Sequence, residues 1–227
     1  MYNKRKEVAY MQKKNILTHT DHTLLKQVAT WKQIETVCEE AVKYQMASVC
    51  IPPCYVKQAA EFLQGRVPVC TVIGFPNGYQ TTAVKVFETK DAIANGAEEI
   101  DMVINIGWAK AEKWDDIEAE INAVKAACGN HILKVIIETC LLTEGEKIML
   151  CEVVNSSDAE YIKTSTGFGG AGATAEDVEL FERYMKDGKK IKAAGGIQDI
   201  DTAELFLKLG ADRLGSSSLV KICEKTD

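Results

Sequence analysis

The chain has 227 residues, 46% of them apolar and 26% charged, a balance that supports one sizeable core and argues against disorder over most of the length. Twenty-seven Lys and Arg against 33 Asp and Glu give a formal net charge of −6, which argues against a general nucleic-acid or membrane-surface binder while leaving room for a local basic pocket. No apolar run approaches the roughly 18 residues that span a bilayer, and the charged start MYNKRKEVAYMQKKN is followed by no apolar stretch or small-residue cleavage site.

Residues 1–14 read as a tail, with a second methionine at Met11, and residues 15–227 as a single domain. Short apolar, β-branched segments then alternate with amphipathic stretches. The first strand is expected at Ile16–His19, followed by a helix over Trp31–Lys43 and a strand at Ala47–Ile51. A strand at Val69–Ile73 precedes a helix over Thr82–Asn95, and a strand at Glu99–Asn105 precedes one over Lys113–Ala127. Leu133–Glu138, Tyr161–Thr164, Lys190–Ala193 and Arg213–Gly215 complete the strands, separated by helices over Glu144–Asn155, Ala175–Lys186 and Asp201–Leu209. Glycines at 96, 129, 188 and 210 stand where helices should stop. Eight strands alternating with helices fit a (β/α)8 barrel better than a doubly wound sheet, which normally uses fewer strands.

Strand residues alternate faces, so a polar residue at every second position is informative. Along Glu99–Asn105 the apolar Ile100, Met102 and Ile104 would pack on helices, turning Asp101 and Asn105 into the barrel. By the same count Lys134 and Glu138 oppose Val135 and Ile137, Lys163 opposes Ile162, and Lys192 opposes Ile191. Barrel interiors normally hold branched apolar side chains, so inward lysines with carboxylates are costly unless paired and used. Asp101, Lys163 and Lys192 fall near the C-terminal ends of strands 4, 6 and 7, where such barrels place chemistry.

Three strands run into glycine-rich turns, after Lys163, Lys192 and Leu214. Such turns let backbone amides approach an anion, and loops after the last strands are the usual phosphate site of this barrel class. Gly195, Gly196, Gly215, Ser217 and Ser218 are therefore candidate phosphate ligands, with Gly167 in the first of the turns. The run Gly167–Gly172 also matches G-x-G-x-x-G, but the next strand ends in Lys192–Ala–Ala–Gly195 without the carboxylate that would hold a ribose, so a dinucleotide site is rejected. The eight cysteines show no zinc-ligand spacing, and most of them read as buried thiols in a reducing cytoplasm.

At these positions the chain resembles the deoxyribose-phosphate aldolases. The matching stretches include Asp21–His–Thr–Leu–Leu–Lys26, Ser48–Val–Cys–Ile–Pro52, Val72–Ile–Gly–Phe–Pro–Asn–Gly78, Leu133–Lys–Val–Ile–Ile–Glu–Thr139, Lys163–Thr–Ser–Thr–Gly167, Lys192–Ala–Ala–Gly–Gly196 and Arg213–Leu–Gly–Ser–Ser217. The resemblance implies reversible cleavage of 2-deoxy-D-ribose 5-phosphate into acetaldehyde and D-glyceraldehyde 3-phosphate, with no cofactor and no metal. It implies that Lys163 is the Schiff-base lysine, Asp101 the proton-handling aspartate and Lys192 the lysine that activates Lys163. Asp21 and Thr166 correspond to substrate-contact or relay positions, and Cys50 to a cysteine near the active site.

The chemistry has a physical reason. An amine attacks a carbonyl only when unprotonated, and a lysine's usual pKa of about 10.4 leaves few neutral amines at pH 7. A second ammonium about 4 Å away, at an effective dielectric near 20, repels it by about 4 kcal/mol, which weakens proton binding about a thousandfold. Rival expectations are another phosphate-binding barrel aldolase or isomerase, and a non-catalytic sugar-phosphate sensor. A metal-dependent aldolase is disfavoured because His19, His22 and His131 show no ligand-like clustering with carboxylates. The expected partners are a small phosphorylated sugar and aldehydes, with no nucleic acid and no membrane, and the expected assembly is a homodimer.

Overall fold

The computed structural model describes residues 11–186 and 188–225. Eight strands run in chain order as β1 (Thr20–Thr23), β2 (Ser48–Ile51), β3 (Val69–Ile73), β4 (Glu99–Val103), β5 (Ile132–Ile136), β6 (Tyr161–Lys163), β7 (Lys190–Ala194) and β8 (Arg213–Ser216). Every neighbour pair is parallel, and β8 pairs back on β1, so the sheet closes as a barrel. Between the strands lie α1 (Trp31–Tyr44), α2 (Val56–Leu63), α3 (Thr82–Ala94), α4 (Ile106–Lys110), α5 (Trp114–Cys128), α6 (Glu144–Ser156), α7 (Ala175–Tyr184) and α8 (Ile200–Lys208), and α9 (Leu219–Lys225) follows the last strand. The fold is thus the expected (β/α)8 barrel.

Two periodicities build it. Outward strand residues such as Val49, Ile100, Met102, Val135, Ile162 and Ile191 are buried with Ile34, Ile121, Leu150 and Phe181 from the helices in one apolar layer, which closes the barrel by removing both surfaces from water. Helix ends are set by local chemistry. Thr143 and Glu146 form a reciprocal capping box at the start of α6, and Asp199 accepts from Thr202 N–H at the start of α8, satisfying amides that have no partner within the helix.

The first strand differs from expectation. Residues 16–18 are helical and β1 is Thr20–Thr23. Ile16 and Leu17 are buried as part of the apolar layer, whereas the strand itself is the polar Thr–Asp–His–Thr, so a search for an apolar, β-branched run settles on the wrong segment. Of the expected tail, residues 1–10 lie outside the described residues, while residues 11–14 belong to the helix that continues to residue 18. Asn105 is not an inward strand residue: β4 ends at Val103, and the Asn105 side chain caps α4 by accepting from Trp108 N–H at 3.2 Å. The helix after β6 ends at Tyr184 rather than Lys186. Among the described residues no helix is long and apolar enough to cross a membrane.

Candidate active site

Parallel register assembles a charged centre inside the ring. Asp101 on β4 pairs with Lys134 on β5, and Lys163 on β6 pairs with Lys192 on β7. Paired residues of a ladder project to the same face, so all four side chains turn inward, joined by Glu99, two residues before Asp101 on the same face. Asp21 from β1 and Arg213 from β8 complete the group.

Asp101 is its hub. Lys163 Nζ and Lys192 Nζ each donate to Asp101 Oδ2 at 2.7 Å, so the two amines are separated by at most 5.4 Å, twice that bond length. Lys134 Nζ donates to Asp101 Oδ1 at 2.9 Å and lies 2.6 Å from Glu99 Oε2. Lys192 also reaches Asp21 Oδ2 at 2.5 Å, and Arg213 bridges Asp21 Oδ1 at 2.5 Å and Glu99 Oε1 at 3.3 Å. Asp21, Asp101, Lys134 and Lys192 are fully buried.

Burial disfavours every charge in this group, yet the pairing prevails. Burial would raise both aspartates, but the surrounding cations hold Asp101 well below the usual carboxylate range, Lys134 and Lys163 foremost, and Asp21 likewise, with Lys192 foremost. Burial would lower Lys134 and Lys192, but Asp101, aided by Asp21, holds both ammonium groups above the usual lysine value. Four cations (Lys134, Lys163, Lys192, Arg213) face three carboxylates (Asp21, Glu99, Asp101). With every group charged the interior carries one excess positive charge. Lys163 has the fewest carboxylate contacts of the three lysines, one shared oxygen.

A cavity of about 490 Å³ opens at the C-terminal ends of the strands. Lys163 lines it, and Lys134 and Lys192 lie beneath it. Thr166 and all six glycine and serine candidates, Gly167, Gly195, Gly196, Gly215, Ser217 and Ser218, line the same cavity. Gly195 and Gly196 are consecutive left-handed residues with φ of +77° and +75°, a turn that glycine adopts without strain. Gly172 presses on that turn so closely that a Cβ there would meet the Gly195 carbonyl carbon at 2.3 Å. A second cavity of about 360 Å³ adjoins across Leu25, Lys26 and Phe168, where Phe168 meets Phe75 edge-to-face at 5.3 Å between centroids.

The remaining expected residues lie behind this surface. Asp21 is engaged with Lys192, Lys134 and Arg213 and does not line the cavity. Cys50 is buried with Cys70 and Val72 beside Leu25 and Phe75; the Cys70 thiol holds it below the usual thiol range, against the effect of burial. Cys50, Cys70 and Asp101 come close enough to share a cation, as do Asp21, Cys70 and Glu99, but their carboxylates are already occupied by lysine ammonium groups whose charge opposes a metal. His22 Nε2 is 2.6 Å from Glu40 Oε2 on α1, directed away from the cluster.

Sequence reasoning gave no site role to Glu99, Arg213, Cys70 or Lys26. Strand alternation could have reached Glu99, since it shares the inward face of Asp101, and Arg213, the ladder partner of Lys192. Lys26 sits on a loop at the mouth of both cavities, where no periodicity applies.

Fold and site together define a class: α/β barrels whose mouth presents one lysine amine beside a second cation and a shared carboxylate, the arrangement of an imine-forming lyase. Residues 15–225 match the model of the family described as DeoC/LacD family aldolase. A deoxyribose-phosphate aldolase of Streptococcus pyogenes serotype M4 is 57% identical over 221 residues, 96% of this chain and 99% of that protein. The crystal structure of a candidate deoxyribose-phosphate aldolase from Coccidioides immitis superposes with a TM-score of 0.90 at 42% identity, covering 94% of this chain and 86% of that one. The tetrameric deoxyribose phosphate aldolase of Aeropyrum pernix superposes with a TM-score of 0.86 at 26% identity, covering 97% of each chain. The chain belongs to the DeoC/LacD aldolase family.

Proposed function

We propose that this protein catalyses the reversible cleavage of 2-deoxy-D-ribose 5-phosphate to D-glyceraldehyde 3-phosphate and acetaldehyde through an imine on Lys163. The observation that carries the reading is the pair of amines, Lys163 and Lys192, on one oxygen of Asp101 at 2.7 Å each.

The unprotonated Lys163 amine adds to the C1 aldehyde of the open-chain sugar, and uptake of one proton with loss of water leaves a cationic imine. That cation is the electron sink: the C3 hydroxyl gives up its proton, the C2–C3 bond breaks, and its electrons move onto the imine as an enamine. Asp101, directly or through water and Lys192, moves protons at the hydroxyl and at the enamine carbon. Lys192 keeps its proton because two carboxylates bind it, so it supplies the nearby positive charge. Protonation of the enamine and hydrolysis of the resulting imine release acetaldehyde and restore Lys163. The turns at Gly167, Gly195, Gly196 and Gly215, with Ser217 and Ser218, hold the phosphate at the mouth, and Thr166 contacts the sugar between phosphate and amine. Asp21 orients Lys192 from beneath, and Cys50 backs the pocket floor beside Phe75.

Borohydride added with deoxyribose 5-phosphate, followed by peptide mass spectrometry, should label Lys163, and Lys163→Leu should abolish the label. Labelling at another lysine, or no acetaldehyde release in a coupled assay, contradicts the reading. We also propose a homodimer and a cytoplasmic location. Tyr79, Val84 and Phe87 are each exposed at and before α3, and all eight cysteines are free thiols. Sedimentation of the wild type against Phe87→Glu checks the assembly.

A further inference from the structure

Glu138 follows β5 with its side chain buried and its backbone left-handed, φ +55° and ψ +66°. A non-glycine residue in that region costs about 1–2 kcal/mol and persists where its surroundings over-determine it, often at functional sites. Its carboxylate collects both polar hydrogens of Thr166. The Thr166 amide N–H donates to the two carboxylate oxygens at 3.2 and 3.3 Å, and the Thr166 hydroxyl donates to Oε2 in a very short bond. The neighbouring Thr139 donates its hydroxyl to Asp177 Oδ2 at 2.7 Å in the first turn of α7. Two consecutive residues thus hold the glycine-rich turn at Thr166 and the helix that follows it at Asp177, and the turn packs so close that a Cβ on Gly169 would lie 3.0 Å from the Glu138 carboxyl carbon.

The hydrogen count at Thr166 has a consequence for the cavity. A hydroxyl has one hydrogen and two lone pairs, and a carboxylate only accepts. The hydrogen is committed to Glu138, and one lone pair accepts from Phe168 N–H at 3.0 Å. Toward the cavity that it lines, Thr166 therefore offers a single acceptor lone pair. Phosphate oxygens are acceptors and find no partner there; a substrate hydroxyl does.

We propose that Glu138 is a positioning residue that fixes the Thr166 hydroxyl as an acceptor, so that the cavity selects an acceptor aldehyde carrying a hydroxyl between its carbonyl and its phosphate. The assignment rests on the aldolase reading above, in which that hydroxyl is the C2 hydroxyl of D-glyceraldehyde 3-phosphate. In Glu138→Gln the amide NH₂ can donate to Thr166, freeing the hydroxyl hydrogen to point into the cavity, so that the substrate hydroxyl loses its acceptor and must turn to accept in a geometry the pocket is not built for.

The test runs the reaction in the condensation direction, with acetaldehyde and either D-glyceraldehyde 3-phosphate or 3-oxopropyl phosphate, which lacks the C2 hydroxyl. Glu138→Gln should lower kcat/KM for glyceraldehyde 3-phosphate by about tenfold, the scale of one well-placed hydrogen bond, and for 3-oxopropyl phosphate by less than about threefold. Glu138→Ala, measured alongside, should show the same selective loss, so either folded variant decides the matter. The double variant with Thr166→Val should match Thr166→Val alone within about twofold, because Glu138 acts through that hydroxyl. Equal losses on both aldehydes, or losses that add in the double variant, overturn the assignment while leaving the aldolase reading intact. A wild-type protein that condenses neither aldehyde sinks both.

Discussion

Lys134 grips Asp101 by the oxygen that Lys163 and Lys192 leave free: its Nζ is 2.9 Å from Oδ1, while they share Oδ2. The same ammonium lies 2.6 Å from Glu99 and 3.5 Å from Asp21, so one buried cation orients the carboxylate on which the site turns. Lys134 does not line the cavity, so in the proposed reaction its effect passes through Asp101.

Lys134→Met should therefore lose both stability and rate. Removing one partner of a buried ionic group leaves uncompensated charge and costs about 3–5 kcal/mol, to be read by chemical denaturation. The surviving enzyme should form the Lys163 imine with acetaldehyde at least about tenfold more slowly, since Asp101 is free to pivot. An unchanged denaturation midpoint would contradict the buried-cation role.

The aspartates predict the acid limit of stability. Asp101 and Asp21 are held below their ordinary range in the folded state, against the effect of burial. A depressed carboxylate contributes stability that is complete above its unfolded pKa of about 3.9 and is lost as pH falls toward the folded value. For Lys134 and Lys192, raised in the fold, the contribution is complete below about 10.4 and is lost as pH rises beyond it. The part of stability due to these four groups should be flat between these limits and fall below about pH 4. Asp21→Asn should lower stability at pH 7 and shrink the acid limb, with denaturation curves at a series of pH values as the measurement.

Outside the barrel, Lys85 on α3 and Glu120 on α5 form a pair with both side chains fully buried, 2.7 Å apart, and Lys85 Nζ also donates to the Val103 carbonyl at 2.8 Å. Burial lowers Lys85 and raises Glu120 from their usual values, so desolvation is only partly offset. Glu120→Leu should destabilise by about 3–5 kcal/mol, and adding Lys85→Met should recover most of that loss, because an apolar pair avoids the desolvation cost. No recovery in the double variant would show that the loss comes from packing or from the Val103 bond.

Gly172→Ala tests the turn proposed above to hold the phosphate. Its Cβ would collide with the Gly195 backbone, at 2.3 Å from the carbonyl carbon and 2.6 Å from Gly196 N, so the turn must move. A shift of about 1 Å at a substrate-positioning element can cost about a hundredfold. The expected result is a kcat/KM for deoxyribose 5-phosphate lowered to that extent, with KM for the phosphorylated sugar raised and borohydride trapping of acetaldehyde retained. Equal loss with both substrates would place the damage elsewhere.

Sequence by itself determined the layout of this protein, because alternation and helical periodicity are local. Apolar residues at Ile100 and Met102 commit Asp101 to the opposite face whatever the rest of the chain does, and the same holds for Lys163 against Ile162 and Lys192 against Ile191. The pattern failed at β1, where Thr–Asp–His–Thr carries polar groups on both faces and the buried apolar residues before it are helical. Tertiary structure alone decided the rest. Ring closure brings Asp21 and Arg213, 192 residues apart, to 2.5 Å, register puts three lysines around one carboxylate, and the left-handed Glu138 reaches the turn after the next strand. These are properties of pairs distant along the chain, and their energies depend on burial and on partners that no local pattern contains.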